Sequence, residues 1–301
     1  MVYFIPLNWY FFFIFVTSCR FWDNNIIMNI DLHNHSYYSD GVLSPTDVVR
    51  LAKQQGCDIF ALTDHDTLDG LNEALIEANK LGMEFVPGVE VSAMWRNMTI
   101  HILGLGIDIE NEVLKSGLDQ HQEFRQIRAE KMARGLAGAG IVGAMEKVKK
   151  IAKTDMITRT HFAQMLIQEG VCKDMKSVFR RFLTGKKPGG VGGKWAQFDE
   201  VISWIRAAGG KAVLAHPFRY RMTQTKIKRM LSDLSGYGLD GVEVVTAHSS
   251  EEEIALMNVW AKEYKLLTSV GSDYHGWPNQ RIEIGRLRNL PNQDNAVWDY
   301  L

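Results

Sequence analysis

The chain has 301 residues, of which 46% are hydrophobic and 23% charged, and a formal net charge of −1. That length buries one large core, or a main domain with a smaller insertion, and the near-zero charge excludes a global pull toward nucleic acid or membrane. Cys19, Cys57 and Cys172 are scattered and form no CxxC pair, which excludes a disulfide frame and a thiolate metal site and points to a reducing compartment, the cytoplasm.

Residues 1–22, MVYFIPLNWYFFFIFVTSCRFW, are apolar and aromatic, but lack the basic start of a secretory signal. The continuous apolar run is short for a membrane span. Met28 stands immediately before a strand that works as a natural N-terminus. Residues 1–27 therefore read as an upstream extension from a misplaced start codon, with a signal or membrane anchor as the alternative; no stable membrane partner is expected.

From residue 28, short buried-type strands alternate with helical stretches. Ser44-Pro45 supplies an N-cap and a first-turn proline for a helix that Gly56 stops, and residues 67–81 repeat the pattern up to Gly82. The alternation lapses between about 108 and 197, where helices are expected at 111–137, 141–152, 158–169 and 174–183. The basic turn GKKPGGVGGK (185–194), expected to be mobile, returns the chain to strands and helices; it lacks a preceding strand and a GK[ST], so a phosphate-cradling role is weakly supported. Helices follow at 198–208, 223–235 and 249–264. The pattern predicts an α/β fold with parallel strands, a barrel over 28–107 and 198–301, and a helical insertion over 108–197 forming a lid or wall over the site.

Six of the nine histidines sit at the ends of apolar runs, with acids beside them. The runs are NIDLHNHSYYSDG (29–41), CDIFALTDHDT (57–67), EFVPGVEVSA (84–93), MTIHILGLG (98–106), KAVLAHP (211–217) and LLTSVGSDYHG (266–276). Imidazole and carboxylate are costly to bury unless a cation or hydrogen bond compensates them. The repetition implies one metal cluster at one end of a sheet or barrel. His33 and His35, two apart on a predicted strand, project from one face. Asp40 follows in the adjoining turn, where Gly41 lets the backbone fold back. His65, Glu90, His101, Asp273 and His275 complete the set.

The motifs DLHNHS…SDG, LTDHDT, PGVEVS, HILGLG, LAHP and GSDYHG, over residues 29–107 and 198–290, resemble the PHP (polymerase and histidinol phosphatase) superfamily of metal-dependent phosphoesterases. RTHFA (159–163) is similar to that family's inserted histidine motif. By motif and layout the chain is most similar to the stand-alone 3′,5′-nucleoside bisphosphate phosphatases, which include the RNase AM type of 5′→3′ exoribonuclease. The resemblance implies a distorted (β/α)7 barrel with three divalent ions. One would take His33, His35, Glu90 and Asp273; a second Glu90, His101 and His161; the third Asp40, His65 and His275. Imidazole and carboxylate suit Mn²⁺, Fe²⁺ or Zn²⁺, and the resemblance favours Mn²⁺. Clustered divalent ions lower the pKa of bound water toward ~7 and neutralise phosphoryl oxygens.

Other residues carry two readings. His216 in LAHP either contacts the substrate phosphate or supplies a proton, or simply bonds to backbone. The helix 121–134 places His121, Arg125, Arg128 and Met132 along one face. That face is either solvated, or Arg125 and Arg128 clamp a second phosphate, a task suited to the planar guanidinium fork and favoured by the resemblance. Arg159 is a further candidate and Arg219 a weaker one. Glu243 is expected to orient a ligand from behind, and His248 to be ordinary surface. Asp64 and Asp66 either orient their neighbour or cap the following helix, and Trp195, Trp204, Trp260 and Trp298 are expected to pack a core or seam. These readings predict a phosphoesterase acting on 3′,5′-bisphosphonucleotides such as pAp and on short 5′-phosphorylated RNA, with weak binding of long nucleic acid. A histidinol-phosphate phosphatase and a non-catalytic accessory module are the alternatives, and nothing in the sequence specifies an oligomeric state.

Overall fold

Seven strands pair side by side in chain order in a computed structural model that describes residues 28–277 and 282–301. The extension at 1–27 lies outside the described residues. The strands are β1 (Ile30–Asp31), β2 (Ile59–Leu62), β3 (Glu84–Trp95), β4 (Met98–Leu105), β5 (Lys211–Leu214), β6 (Gly241–Thr246) and β7 (Leu267–Gly271). Backbone hydrogen bonds from Leu32 N to Val270 O (3.1 Å) and from His35 N to Tyr274 O (2.9 Å) join the last strand to the first, bringing the sheet round to a nearly closed barrel. Around it run α1 (Pro45–Gln54), α2 (Leu71–Leu81), α7 (Phe198–Ala207), α8 (Gln224–Gly236) and α9 (Glu251–Glu263). Between β4 and β5 the chain forms α3 (Glu112–Gly138), α4 (Ala144–Ile151), α5 (Arg159–Gln168) and α6 (Met175–Val178), the last continuing into a π-helical turn at Phe179–Leu183.

Local chemistry sets the helix ends. Ser44 Oγ accepts from Asp47 N at 3.0 Å and Pro45 opens α1, while Ser250 and Glu253 form a reciprocal cap on α9. Gly82, at φ 58°, ends α2 in the left-handed conformation that favours glycine. Apolar side chains gather in two clusters. One lines the barrel and its helices, with Phe60, Leu62, Ile102 and Leu103 fully buried. The other joins α3, α4 and α5 through Met132, Leu136, Val148, Phe162 and Leu166.

Three expectations change. The strands are not all parallel: β4 runs against both β3 and β5. The cause is the length of β3, whose 12 residues overshoot β2 before a two-residue turn, with Arg96 at φ 53°, folds the chain back. β1 is only two residues long, so His33 and His35 stand on extended chain beyond it, held by the bridge between Asn34 and Tyr274. Residues 185–194 are not a free loop: Gly189 N bonds Phe182 O at 2.8 Å, and Gly135 of α3 leaves no room for a side chain beside Pro188 O. No helix among the described residues is long and apolar enough to cross a membrane.

Candidate metal centre and phosphate pocket

Glu90 is the hub. Its Oε2 lies 3.3 Å from Nε2 of both His33 and His35 and 2.7 Å from His65 Nδ1; its Oε1 lies 2.8 Å from His101 Nδ1 and 3.0 Å from His216 Nε2. The fold explains this centrality. Glu90 is mid-strand, yet the overshoot of β3 brings it level with the end of β2, where it bridges His65. His101 reaches it from the antiparallel neighbour, because Ser92 pairs with His101 and the diagonal position on that face is Glu90.

Three groups of donors have ligand atoms within 4.8 Å of one another: His33, His35, Glu90 and Asp273; His65, Glu90 and His101; and His35, Asp40, His65 and His275. In the third, His275 Nε2 lies 3.1 Å and His65 Nε2 3.8 Å from Asp40 Oδ1. Close backbone approach makes the assembly possible. A Cβ at Gly271 would strike the His33 side chain, and one at Gly41 the His35 carbonyl.

Eight of the nine residues expected to hold metal thus come together, with His35 and His65 each shared between two groups. His161 stands apart from the Glu90–His101 group. Its Nδ1 accepts from Thr158 N at 3.2 Å, which ties that nitrogen to the start of its own helix α5 and leaves Nε2 as the one that could bind metal. Thr158 Oγ1 donates to Asp40 Oδ2 at 3.1 Å, which draws that helix toward the third group instead.

Four buried ligand atoms, His33 Nε2, Asp40 Oδ1, His65 Nδ1 and Glu90 Oε2, have no hydrogen-bond partner among the described residues. Such atoms are costly to leave unsatisfied, and divalent cations held by mixed nitrogen and oxygen donors would satisfy them together. The residues therefore fit metal. Burial opposes a charge on His33, but the carboxylates of Glu243 and Glu90 outweigh it and push the imidazole up to about 10. Burial dominates at His101, which falls to about 4. Glu243 bonds His33 Nδ1 at 2.9 Å through Oε1, while its Oε2 accepts from His216 N at 2.6 Å. It orients the His33 ring from behind and anchors the backbone of His216.

A cavity of about 560 Å³ opens over the donors, its far wall carrying Arg125, Arg128 and Arg159 from α3 and α5. The α3 face is not solvated: His121 is 3% exposed, and Arg125 and Arg128 are each 6% exposed. Asp66 accounts for the burial. It accepts from Ser92 N at 2.7 Å, contacts His121 Nδ1 at 3.1 Å and accepts from Arg125 Nε at 2.8 Å. Burial opposes its ionisation, but Arg125 and His121 hold its carboxyl well below the ordinary range. Asp66 therefore caps no helix, and α2 begins at Gly70 without a side-chain cap. Asp64 instead accepts from Ser36 N at 2.8 Å and Ser39 Oγ at 2.6 Å, bracing the loop between them.

Arg128 donates Nε to Val191 O at 3.1 Å and pairs with no carboxylate among the described residues. Burial, then the charges of Arg159 and Arg125, press it down to about 8, and burial and Arg125 lower Arg159 likewise. Trp195 backs the arginines, its ring centre 5.0 Å from the Arg125 guanidinium carbon and 5.6 Å from that of Arg128. Trp277 escaped the sequence reading. It donates Nε1 to Asp40 O at 2.6 Å and lies 4.4 Å from the His275 ring; its only sequence signal is its place two residues after His275. His248 is not ordinary surface, for it lines the cavity together with Arg219, which pairs with Asp273.

Residues 31–212, more than half of the chain, match the family described as the PHP domain. The chain is 41% identical over 271 residues to a 3′,5′-nucleoside bisphosphate phosphatase of Chromobacterium violaceum, covering 90% of this chain and 95% of that one. It is 38% identical over 272 residues to a 5′-3′ exoribonuclease of Haemophilus influenzae, covering 89% and 97%. Among solved structures, an amidohydrolase from C. violaceum with bound sulfate and no metal matches with a TM-score of 0.86 at 41% identity, over 90% of this chain and 95% of that one. A candidate metal-dependent phosphoesterase from Bifidobacterium adolescentis matches at 0.79 with 28% identity, over 91% and 96%.

Proposed function

The chain belongs to the PHP domain family and is a phosphoric ester hydrolase; from that premise we propose that it removes the 3′-phosphate of 3′,5′-bisphosphonucleotides such as pAp. We infer the same site to trim short 5′-phosphorylated RNA from its 5′ end. The observation that carries this reading is the arginine wall. Arg128 and Arg159 form no ion pair among the described residues, yet they share one cavity with the donor cluster. A buried guanidinium without a carboxylate calls for an anion, and a terminal 5′-phosphate supplies one.

The three donor groups would hold three divalent ions, Mn²⁺ by preference and Fe²⁺ or Zn²⁺ by the same donor chemistry. When bound, such ions supply an activated water and neutralise phosphoryl oxygens. The chain's own side chains do the rest. Arg128 and Arg159 grip the 5′-phosphate, while Arg125, pinned through Nε by Asp66, fixes the edge of that subsite. Glu243 holds His33 and His216 in place. His216, with Nε2 directed to Glu90 and Nδ1 unpartnered, contacts the scissile phosphate or supplies a proton. His161 remains proposed as a ligand only toward Asp40 and His275, the ligand groups whose charges act on its ring. The scattered cysteines, of which Cys57 and Cys172 are free and buried, suit a cytoplasmic site of action.

The test offers the purified, Mn²⁺-loaded protein pAp, AMP, histidinol phosphate and a 5′-phosphorylated pentaribonucleotide. Phosphate released from pAp but not AMP, with mononucleotides from the oligomer, is the expected result. Preference for histidinol phosphate overturns the reading, because that substrate leaves the arginine wall without an anion.

A further inference from the structure

A second cavity, of about 200 Å³, adjoins the first, and the two share His216, Arg219 and His248. It is lined by the turn after β5, by Glu243 and Thr246 of β6, by the segment after β6 and by the start of α9, and by no residue of the helices that carry the arginine wall. The donor cluster thus has room on two flanks.

The turn that shapes the second flank is built with care. Pro217–Tyr220 form a single 3-10 turn between two non-glycine residues in the left-handed region, His216 at φ 32° and Arg221 at φ 51°. Such conformations persist only where surrounding structure holds them, and they gather at functional sites. Here Tyr220 does the holding: its hydroxyl accepts from His101 N at 2.8 Å and donates to Ala215 O at 3.0 Å. The result projects Arg219, 48% exposed, over Asp273. Phe218 packs against Trp260 with ring centres 5.9 Å apart, leaving it half-buried at the cavity wall. His248 is exposed and makes no side-chain hydrogen bond among the described residues. Two acids line the cavity and both are engaged: Glu253 accepts from Ser250 N at 3.0 Å, and Glu243 bonds His33 Nδ1 and His216 N.

We propose that this second cavity is the subsite for the nucleotide downstream of the scissile phosphate, entered between Arg219 and His248. The inference rests on the function proposed above and sharpens it. A phosphomonoester such as pAp presents only oxygens beyond the scissile phosphorus. A phosphodiester carries one more ester oxygen with a nucleoside attached, and a donor cluster walled in on that side would reject it. With the 5′-phosphate at the arginines and the 3′ oxygen at the donors, the downstream nucleoside leaves by the flank away from the insertion. Arg219 supplies a cation for the next phosphate, and the Phe218 ring an apolar surface for the ribose or base. Arg219 and His248 are therefore the residues that separate RNA trimming from simple phosphate release.

The test compares kcat/KM for pAp with that for a 5′-phosphorylated pentaribonucleotide in wild type, His248→Ala, Arg219→Ala and Arg219→Lys. A second readout is fluorescence anisotropy of a labelled, phosphorothioate-linked pentamer on the chelator-treated protein, which reports binding without turnover. His248→Ala and Arg219→Ala are expected to lower the ratio of RNA to pAp activity about tenfold each and to weaken pentamer binding by a similar factor. Arg219→Lys should restore part of the loss. An unchanged ratio and unchanged binding in both alanine variants, in a protein that hydrolyses pAp, overturns the subsite alone. A wild type inert toward pAp overturns the functional reading, and the subsite with it.

Discussion

On the barrel side of the cavity, Glu90 stands within 3.3 Å of five imidazoles. On the insertion side, Asp66 is the only carboxylate paired with any of Arg125, Arg128 and Arg159 among the described residues. The barrel therefore gathers electron-pair donors with orphaned atoms, and the insertion gathers positive charge in excess of its counter-ions. Neither arrangement is economical by itself. A phosphate ester placed as proposed, between bound cations and guanidiniums, would complete both, which is why the two regions read more clearly as a pair than alone.

The sharpest break of the barrel side is Glu90→Gln. Removing the shared carboxylate should lower turnover by roughly 10³-fold or more, since even residues behind the ligands are worth 10–100-fold. It should also abolish the stabilisation that Mn²⁺ gives the wild type, about 2.7 kcal/mol at a hundredfold excess over Kd; metal analysis and thermal unfolding read both. On the insertion side, Asp66→Asn leaves a buried guanidinium uncompensated and should cost about 3–5 kcal/mol in urea unfolding. A loss below 1 kcal/mol there would show that Arg125 finds another partner. Arg128→Ala should raise KM for pAp roughly 10–100-fold, the worth of about 1.5–3 kcal/mol for a charged hydrogen bond, with little change for a substrate bearing one phosphate. Equal losses on both substrates would dissolve the division of labour. The smallest effect belongs to Glu243→Gln, which keeps the side chain's shape but weakens its hold on His33. Turnover and metal affinity should fall about tenfold, the lower end for such partners, with KM for pAp unmoved.

The barrel side was largely legible in the sequence because its signals are local. A period of two carries His33 and His35 to one face, and polar groups ending apolar runs mark the site's end of the sheet. What escaped notice depended on tertiary events. That Glu90 lies mid-strand yet central follows from the overshoot and reversal of β3 into β4, and no residue of the run EFVPGVEVSA announces the reversal. Motif alone puts His161 with Glu90 and His101, whereas in the fold it stands outside that group, with Nδ1 in the cap of α5. The burial of the α3 face was open for the same reason: its explanation, Asp66, is 59 residues from Arg125 in the chain. The parallel expectation failed only at β4, where a long strand and a tight turn outweighed the strand–helix alternation.

The reversal of β4 has a consequence for how the arginine wall is set. Because β4 runs backwards, it delivers the chain to the foot of the barrel, and α3 must climb from there along the outside. Its 27 residues extend about 40 Å at 1.5 Å each. Low on that climb Gly117 lies flat against Trp204, and higher up His121 and Arg125 meet Asp66. The helix is thus clamped at two points, and the residue count between them fixes which side chains face the cavity. Removing one residue between the clamps would turn every later side chain by about 100°. Arg125 and Arg128 would then turn away from the cavity that they now line, so the wall depends on the register of the helix as much as on its composition.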